Sequence, residues 1–350
     1  MAPNPSPPHS LLVEPADGKE AVLSAIGSAK ATLDLGIYEA TDPEILGALV
    51  AARARGVTVR VLYNWYSFDP TTQQATISPA VNQLSQGGVL CRRAPPSFEV
   101  THEKVCVVDG ASALVLTFNL AKEYFQSTRD FGIVTTLPLE LEEISTVFEA
   151  DWNSQPATPS VPSLVWSPTN SRARLADLIG GAKATLEVYN EELSDPGILG
   201  ALAAAAKNGI RVRVIAAVLS SNGQANGNAA GITYLRSQGV QAECKAFPVT
   251  TPRGPVPIYI HAKVVVVDFG ASNSQAFVGS ENLSCVSLDD NRECGIVVGE
   301  PAILARIEST FEADWAQPSV AVPADPSPLR PCPGAPAGRT VARIASRTGG

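Results

Sequence analysis

Thr101-His102-Glu103-Lys104-Val105-Cys106-Val107-Val108-Asp109-Gly110 returns later in the chain as Ile260-His261-Ala262-Lys263-Val264-Val265-Val266-Val267-Asp268. Each copy carries a His, a Lys two residues on, and an Asp beyond a run of mostly β-branched residues. Such a run reads as a buried strand, and on a strand positions i and i+2 share one face, so each His and its Lys point the same way. The chain has 3 histidines. The third, His9, lies in a Pro-rich leader over residues 1–10 that is expected to stay unfolded. Both remaining histidines therefore belong to the repeat.

With 350 residues, 45% of them hydrophobic and 17% charged, the chain can bury one large core or two ordinary ones. No apolar run approaches the roughly 20 residues that span a bilayer, and the first residues lack the charged and apolar regions of a signal peptide. The 6 cysteines form no CxxC pair or Cys/His cluster of the kind that holds zinc. They read mostly as buried thiols, with Cys285 and Cys294 the pair placed to flank one loop. A net charge of −8 argues against a non-specific nucleic-acid binder, whose affinity comes largely from neutralising phosphates. Only local basic patches, Arg92-Arg93 and residues 207–213, run against that balance.

From residue 11 onward, strands and helices alternate. Helices are expected over 21–29, 43–55 with Asp42 as N-cap, 79–86 and 138–152, and strands over 31–38, 57–63, 89–92, 112–118 and 129–135. Alternation of this kind predicts an α/β sheet. A Pro/Ser linker over 153–163 interrupts the order, and then the elements start again. Ala29-Lys30-Ala31-Thr32-Leu33 recurs as Ala182-Lys183-Ala184-Thr185-Leu186, and Phe148-Glu149-Ala150-Asp151-Trp152 as Phe311-Glu312-Ala313-Asp314-Trp315. The chain is a duplicated unit, with one domain over 11–152 and a second over 164–316. Residues 317–350 form a Pro- and Arg-containing tail that is expected to be disordered.

A His-x-Lys followed by four residues and an Asp, once in each of two similar halves, resembles the phospholipase D superfamily. The resemblance spans roughly residues 12–315. Further along, the family's Gly-Ser-x-Asn is matched by Gly279-Ser280-Glu281-Asn282, whereas the first half has Leu116-Thr117-Phe118-Asn119, which keeps the hydroxyl and the Asn but lacks the Gly. An acidic residue follows in each half, in Arg129-Asp130 and Arg292-Glu293. The fold so implied is two tandem α/β domains, each a mixed β-sheet flanked by helices, related by pseudo-two-fold symmetry so that both His strands meet in one cleft. One chain would then carry a complete site and act as a monomer.

The resemblance implies phosphodiester chemistry, which needs a nucleophile, an acid for the leaving oxygen, and donors for the phosphoryl oxygens. His102 is implied as the nucleophile that forms a phosphohistidine, and His261 as the acid and base. Lys104, Lys263, Asn119 and Asn282 would hold the phosphoryl oxygens, helped by Thr117 and Ser280. Asp130 and Glu293 would each accept the Nδ1 proton of a histidine and leave Nε2 for the phosphate. Asp109 and Asp268, at the far strand ends, read as turn positions. No metal or other cofactor enters this scheme.

Two loops remain as substrate contacts. The aromatic stretch with Trp65, Tyr66 and Phe68 suits a lipid-facing rim, and the Pro-rich stretch with Arg253 occupies the comparable place in the second half. A phospholipid headgroup is therefore the expected substrate, met by peripheral contact with a membrane. A cardiolipin-synthase-like phosphatidyltransferase, a metal-independent endonuclease of the same superfamily and an inactive binding module are the alternatives, because one His/Lys/Asn set serves lipids and nucleic acids alike.

Overall fold

The computed structural model describes residues 7–64, 66–68, 75–219 and 227–332, with the backbone alone described over 66–68 and 75–77. In the first half come β1 (His9–Glu14), α1 (Glu20–Ser28), β2 (Thr32–Ile37), α2 (Pro43–Ala54), β3 (Thr58–Tyr63), β4 (Tyr66–Phe68), β5 (Ala75–Ile77), α3 (Pro79–Gln86), β6 (Leu90–Arg93), β7 (Lys104–Val108), β8 (Ser112–Leu116), β9 (Thr128–Thr135) and α4 (Pro138–Trp152). The second half runs β10 (Leu164–Ser167), α5 (Ser171–Gly180), β11 (Thr185–Asn190), α6 (Pro196–Lys207), β12 (Arg211–Ala216), α7 (Ala229–Ser237), β13 (Gln241–Lys245), β14 (Pro248–Thr251), β15 (Gly254–Pro257), β16 (Tyr259–Ile260), β17 (Val264–Val267), β18 (Gln275–Gly279), α8 (Cys285–Asp289), β19 (Glu293–Val298), α9 (Pro301–Trp315) and β20 (Ser319–Val320). Asp42 caps α2 as expected, accepting from the backbone N–H groups of Glu44 at 2.9 Å and Ile45 at 3.2 Å.

Two mixed sheets result, and their strand orders correspond. The first runs β1-β9-β8-β7-β2-β3-β6 and the second β10-β19-β18-β17-β11-β12-β13, with β20 added at its edge. In each, the His strand (β7 or β17) is central and antiparallel to β2 or β11. Its run of valines is buried on both faces, as a central strand covered on two sides must be. Val105 and Val107 enter a core shared by the two halves, while Cys106 and Val108 face the core under α1, α2 and α3. In β17 the same alternation sends Val264 and Val266 to the shared core and Val265 and Val267 to the outer core of the second half. Burial of each such valine contributes about 1.5–3 kcal/mol.

At the end of each His strand the chain turns through a left-handed aspartate, Asp109 at φ 54° and Asp268 at φ 51°. The carboxylate of Asp109 accepts from the backbone N–H groups of Lys30, Ala31 and Thr32, and Asp268 accepts from those of Lys183, Ala184 and Thr185. These hydrogen bonds hold both carboxyls below their ordinary range, against burial in the case of Asp268. The invariant spacing from Lys to Asp thus ties the far end of each His strand to the start of its neighbour.

The halves are joined by exchange of backbone pairing. β16 pairs in parallel with β9 of the first sheet, Ile260 facing Arg129, and Thr101 forms the equivalent bridge with Arg292. The Arg129 carbonyl accepts from the N–H groups of His261 and Ala262, and the Arg292 carbonyl from those of His102 and Glu103. Each of those arginines also crosses to the repeated Phe-Glu-Ala-Asp-Trp segment of the opposite half. Arg129 donates to Asp314 at 2.7 and 3.0 Å, and Arg292 to Asp151 at 2.8 Å.

Both chain ends depart from expectation. The leader was expected to be unfolded through residue 10, yet β1 begins at His9 and pairs with β9. His9 is buried because it satisfies two carboxylates, Glu140 of α4 through Nε2 at 2.9 Å and Glu300 ahead of α9 through Nδ1. The tail is likewise ordered as far as Cys332, with residues 1–6 and 333–350 outside the described residues. β20 extends the second sheet through β13, Val322 and Leu329 pack on the outer core, and a Cys285–Cys332 disulfide anchors the segment. Cys285, expected only to flank one loop with Cys294, is thus bonded to the C-terminal segment instead. Cys294 lies on β19 as a free thiol buried in the shared core, whereas Cys285 opens α8.

His9 makes the fold pH-sensitive. Burial acts to lower its pKa, but hydrogen bonds to Glu140 and Glu300 outweigh that and the net shift is upward. A raised folded value means that His9 stabilises fully below its unfolded pKa of about 6.5, and that this contribution is lost as pH rises through the folded value. Urea unfolding is expected to show His9→Gln less stable than the parent chain near pH 6, with the difference shrinking on the alkaline side.

Candidate active site

Exchange of pairing brings both His strands to one cavity of about 920 Å³. Tyr38, His102, Asn119, Glu191, His261 and Asn282 are among its lining residues. The carboxylates cross between halves. His102 Nδ1 lies 2.8 Å from Glu293 of the second half, and His261 Nδ1 lies 2.9 Å from Asp130 of the first. With Nδ1 held, Nε2 of each ring is the nitrogen left for a substrate.

The carboxylates are themselves held. Asp130 accepts from Thr117 Oγ1 at 2.6 Å and from Thr128 Oγ1 at 2.5 Å, and Thr117 Oγ1 accepts from the Phe131 N–H. Thr117, expected beside the phosphoryl group, is instead a buried support for Asp130. Ser280 departs in a different way, accepting from the Cys294 N–H at 3.1 Å. In the second half the support comes from Ser287 Oγ at 2.7 Å and Asn291 Nδ2 at 3.1 Å, both onto Glu293. Those two residues, and Thr128, escaped the sequence reading because the halves diverge there and no repeat marks them.

Lys104 and Lys263 are fully buried, each donating to the backbone carbonyl of its own histidine. Burial, more than the surrounding charges, pushes the Lys104 ammonium down to about 7. It likewise pushes His102 down to about 4, a shift the nearby Glu293 carboxylate opposes. Glu293, against His102 Nδ1, has its carboxyl lowered because His102 and Lys104 outweigh the effect of burial. The side-chain oxygens of Asn119 and Asn282 are buried without a hydrogen-bond partner. Aromatic edges complete the walls, Tyr38 against His102 with ring centroids 5.0 Å apart and Tyr124 against His261 at 4.8 Å.

One cleft residue was not foreseen. Glu191, directly after β11, has Oε2 2.8 Å from Lys263 Nζ, 3.3 Å from Asn282 Nδ2 and 3.5 Å from His261 Nε2, and its Oε1 accepts from the Tyr259 hydroxyl at 2.7 Å. Burial opposes ionisation, yet Lys263 and His261 hold its pKa well below the ordinary value. The corresponding position after β2 is Tyr38, so the duplicated segments differ here in chemistry. Comparing them residue by residue would have marked the position.

The loop expectations fare unevenly. Trp65 and the side chains of Tyr66 and Phe68 lie outside the described residues, and the backbone of β4 pairs antiparallel with β5. Arg253 sits exposed at the tip of the β14–β15 hairpin and is not among the cavity's lining residues. In its place the C-terminal segment contributes a wall, with Asp325, Ser327 and Arg330 lining the same cavity as the histidines.

The arrangement can be compared with known proteins. A cardiolipin synthase of Listeria monocytogenes serotype 4a (strain HCC23) is 24% identical over 87% of this chain and 68% of its own length. The crystal structure of a phosphatidylserine synthase from Haemophilus influenzae Rd KW20 superposes with a TM-score of 0.66 at 15% identity, covering 89% of this chain and 87% of that one. A polyphosphate kinase from Porphyromonas gingivalis gives a TM-score of 0.65 at 16% identity over 88% of this chain, but only 50% of the kinase. The family model for the phospholipase D-like domain of cardiolipin synthase matches twice, over residues 22–152 and 175–315, once for each half of the cleft. By these two matches, which take in both His strands, the chain belongs to the phospholipase D superfamily.

Proposed function

We propose that the cleft transfers the phosphatidyl group of a phospholipid to the hydroxyl of an alcohol through a phosphohistidine. The observation that carries this reading is the crossed pair of His–carboxylate contacts, which aims two Nε2 atoms into one cavity beside buried Lys104 and Lys263. His102 Nε2 bonds to phosphorus as the phosphorus–oxygen bond to the first headgroup breaks, and His261 gives its proton to the departing oxygen. In the return step the acceptor hydroxyl passes its proton to His261, its oxygen bonds to phosphorus, and the bond to His102 breaks. Lysines and asparagines from both halves offset the charge on the phosphoryl oxygens throughout.

The similarity to cardiolipin synthases favours transfer over hydrolysis and lipid over nucleic acid, and the net charge of −8 points the same way. Among the described residues no helix is long and apolar enough to cross a membrane. The test gives the purified chain phosphatidylglycerol vesicles with isotope-labelled glycerol or a short alcohol, chelator present, beside a tube of plasmid and single-stranded DNA. Exchange of headgroup for the added alcohol, absent in His102→Ala and His261→Ala, is the expected result. Release without exchange would make water the acceptor, and DNA cleavage lost in both variants would overturn the lipid reading.

A further inference from the structure

The two halves present their histidines to the cleft in nearly matched settings, with one chemical exception. Each ring has Nδ1 on a carboxylate from the opposite half and an aromatic edge beside it. Beyond β2, however, the chain places Tyr38 next to His102, and beyond β11 it places Glu191 next to His261. His261 therefore lies between two carboxylates, Asp130 on Nδ1 and Glu191 toward Nε2, whereas His102 has Glu293 alone and Lys104 nearby.

We propose that Glu191 is the positioning residue that divides the work between the histidines, its carboxylate holding the Nε2 proton on His261 so that His261 serves as the acid and His102 attacks phosphorus. This rests on the phosphodiester-transfer reading of the cleft. The groups facing His261 are Asp130 from β9, Tyr124 from the turn before β9, Tyr259 from β16, Lys263 from β17 and Glu191. Of these the cation, Lys263, is already paired with Glu191 at 2.8 Å, which reduces its opposition to a protonated ring. Around His102 the neighbouring charges differ, since both lysines oppose the proton and Glu293 alone favours it. One half is thus set to donate a proton and the other to offer a lone pair.

Glu191 also occupies donors that a phosphoryl oxygen needs, because its Oε2 sits on Lys263 and Asn282. An anionic diester competes with it there. Removing the charge should then tighten binding of substrate while weakening proton transfer, an outcome that simple loss of structure does not produce.

The experiment follows Glu191→Gln and Glu191→Asp in the full chain as a function of pH, with two probes. Phosphatidylglycerol vesicles supply a leaving alcohol that must be protonated, and bis(p-nitrophenyl) phosphate supplies a leaving phenoxide that needs little help. For Glu191→Gln, kcat on the lipid at pH 8 is expected to fall about tenfold, the alkaline limb moving down by about one pH unit. KM should fall rather than rise, and the first release of nitrophenolate should change less than about threefold because no proton is required. Glu191→Asp, which keeps the charge, should move the limb back toward the parent. An unmoved alkaline limb, or equal losses on both probes, would overturn the assignment while leaving the transfer reading intact. A parent chain silent on both probes would overturn that reading and the assignment with it.

Discussion

Turnover is expected to fall by roughly 10⁵-fold or more in His102→Ala, the scale seen when a covalent nucleophile is removed from a coupled set. No neighbouring group can replace it. The chain holds 3 histidines, and His9 is engaged by Glu140 and Glu300 away from the cleft. Intact-mass analysis of the parent chain after rapid mixing with bis(p-nitrophenyl) phosphate should show an adduct that maps to His102. The same analysis on His102→Ala should show none. An adduct on His261 in the parent chain would reverse the assignment of the two rings.

The second large effect follows from the crossing of the carboxylates. Asp130→Asn should reduce turnover on lipid by about 10⁴-fold, as happens when a histidine-orienting carboxylate becomes an amide and the wrong tautomer is held. Although Asp130 belongs to the first half, the ring it disables is His261 of the second. With an activated diester the His102 adduct should therefore still form in Asp130→Asn and then persist, because its breakdown needs His261 to take a proton. Glu293→Gln should instead prevent the adduct from forming, since Glu293 orients His102. Uncrossed carboxylates would exchange these two outcomes.

Much of this site was legible in one dimension because its parts recur. His102, Lys104, Asn119 and Asp130 repeat as His261, Lys263, Asn282 and Glu293, and two copies of such a pattern are hard to produce by packing alone. Strand positions followed from the same logic, since a Val-rich run buried on both faces has few other places in an α/β sheet. The arginines that latch the halves stand before each acid in the sequence, but neither their role nor their partners in the repeated Phe-Glu-Ala-Asp-Trp segments could be read there.

What resisted reading was whatever the duplication did not repeat, or whatever depends on a partner far along the chain. Composition marked His9 as part of an unfolded leader, yet its ring is buried by carboxylates from α4 and ahead of α9. Composition likewise marked residues after 316 as disordered, yet the edge of β13 and the thiol of Cys285 give that segment something to bind. Thr117 and Ser280 are hydroxyls at matching positions, but packing sends one to Asp130 and the other to a backbone amide.

The sequence by itself determined the duplication, the two α/β sheets and the paired His, Lys, Asn and acidic residues of the cleft, because periodicity and repetition are local properties that each copy corroborates. Only the tertiary structure decided which carboxylate serves which histidine, that Glu191 stands at His261 and Tyr38 at His102, and that a disulfide-bound segment walls the cavity. Those are contacts between residues far apart in the chain, chosen by the exchange of strand pairing between halves, and nothing in the order of residues encodes them until the two sheets have met.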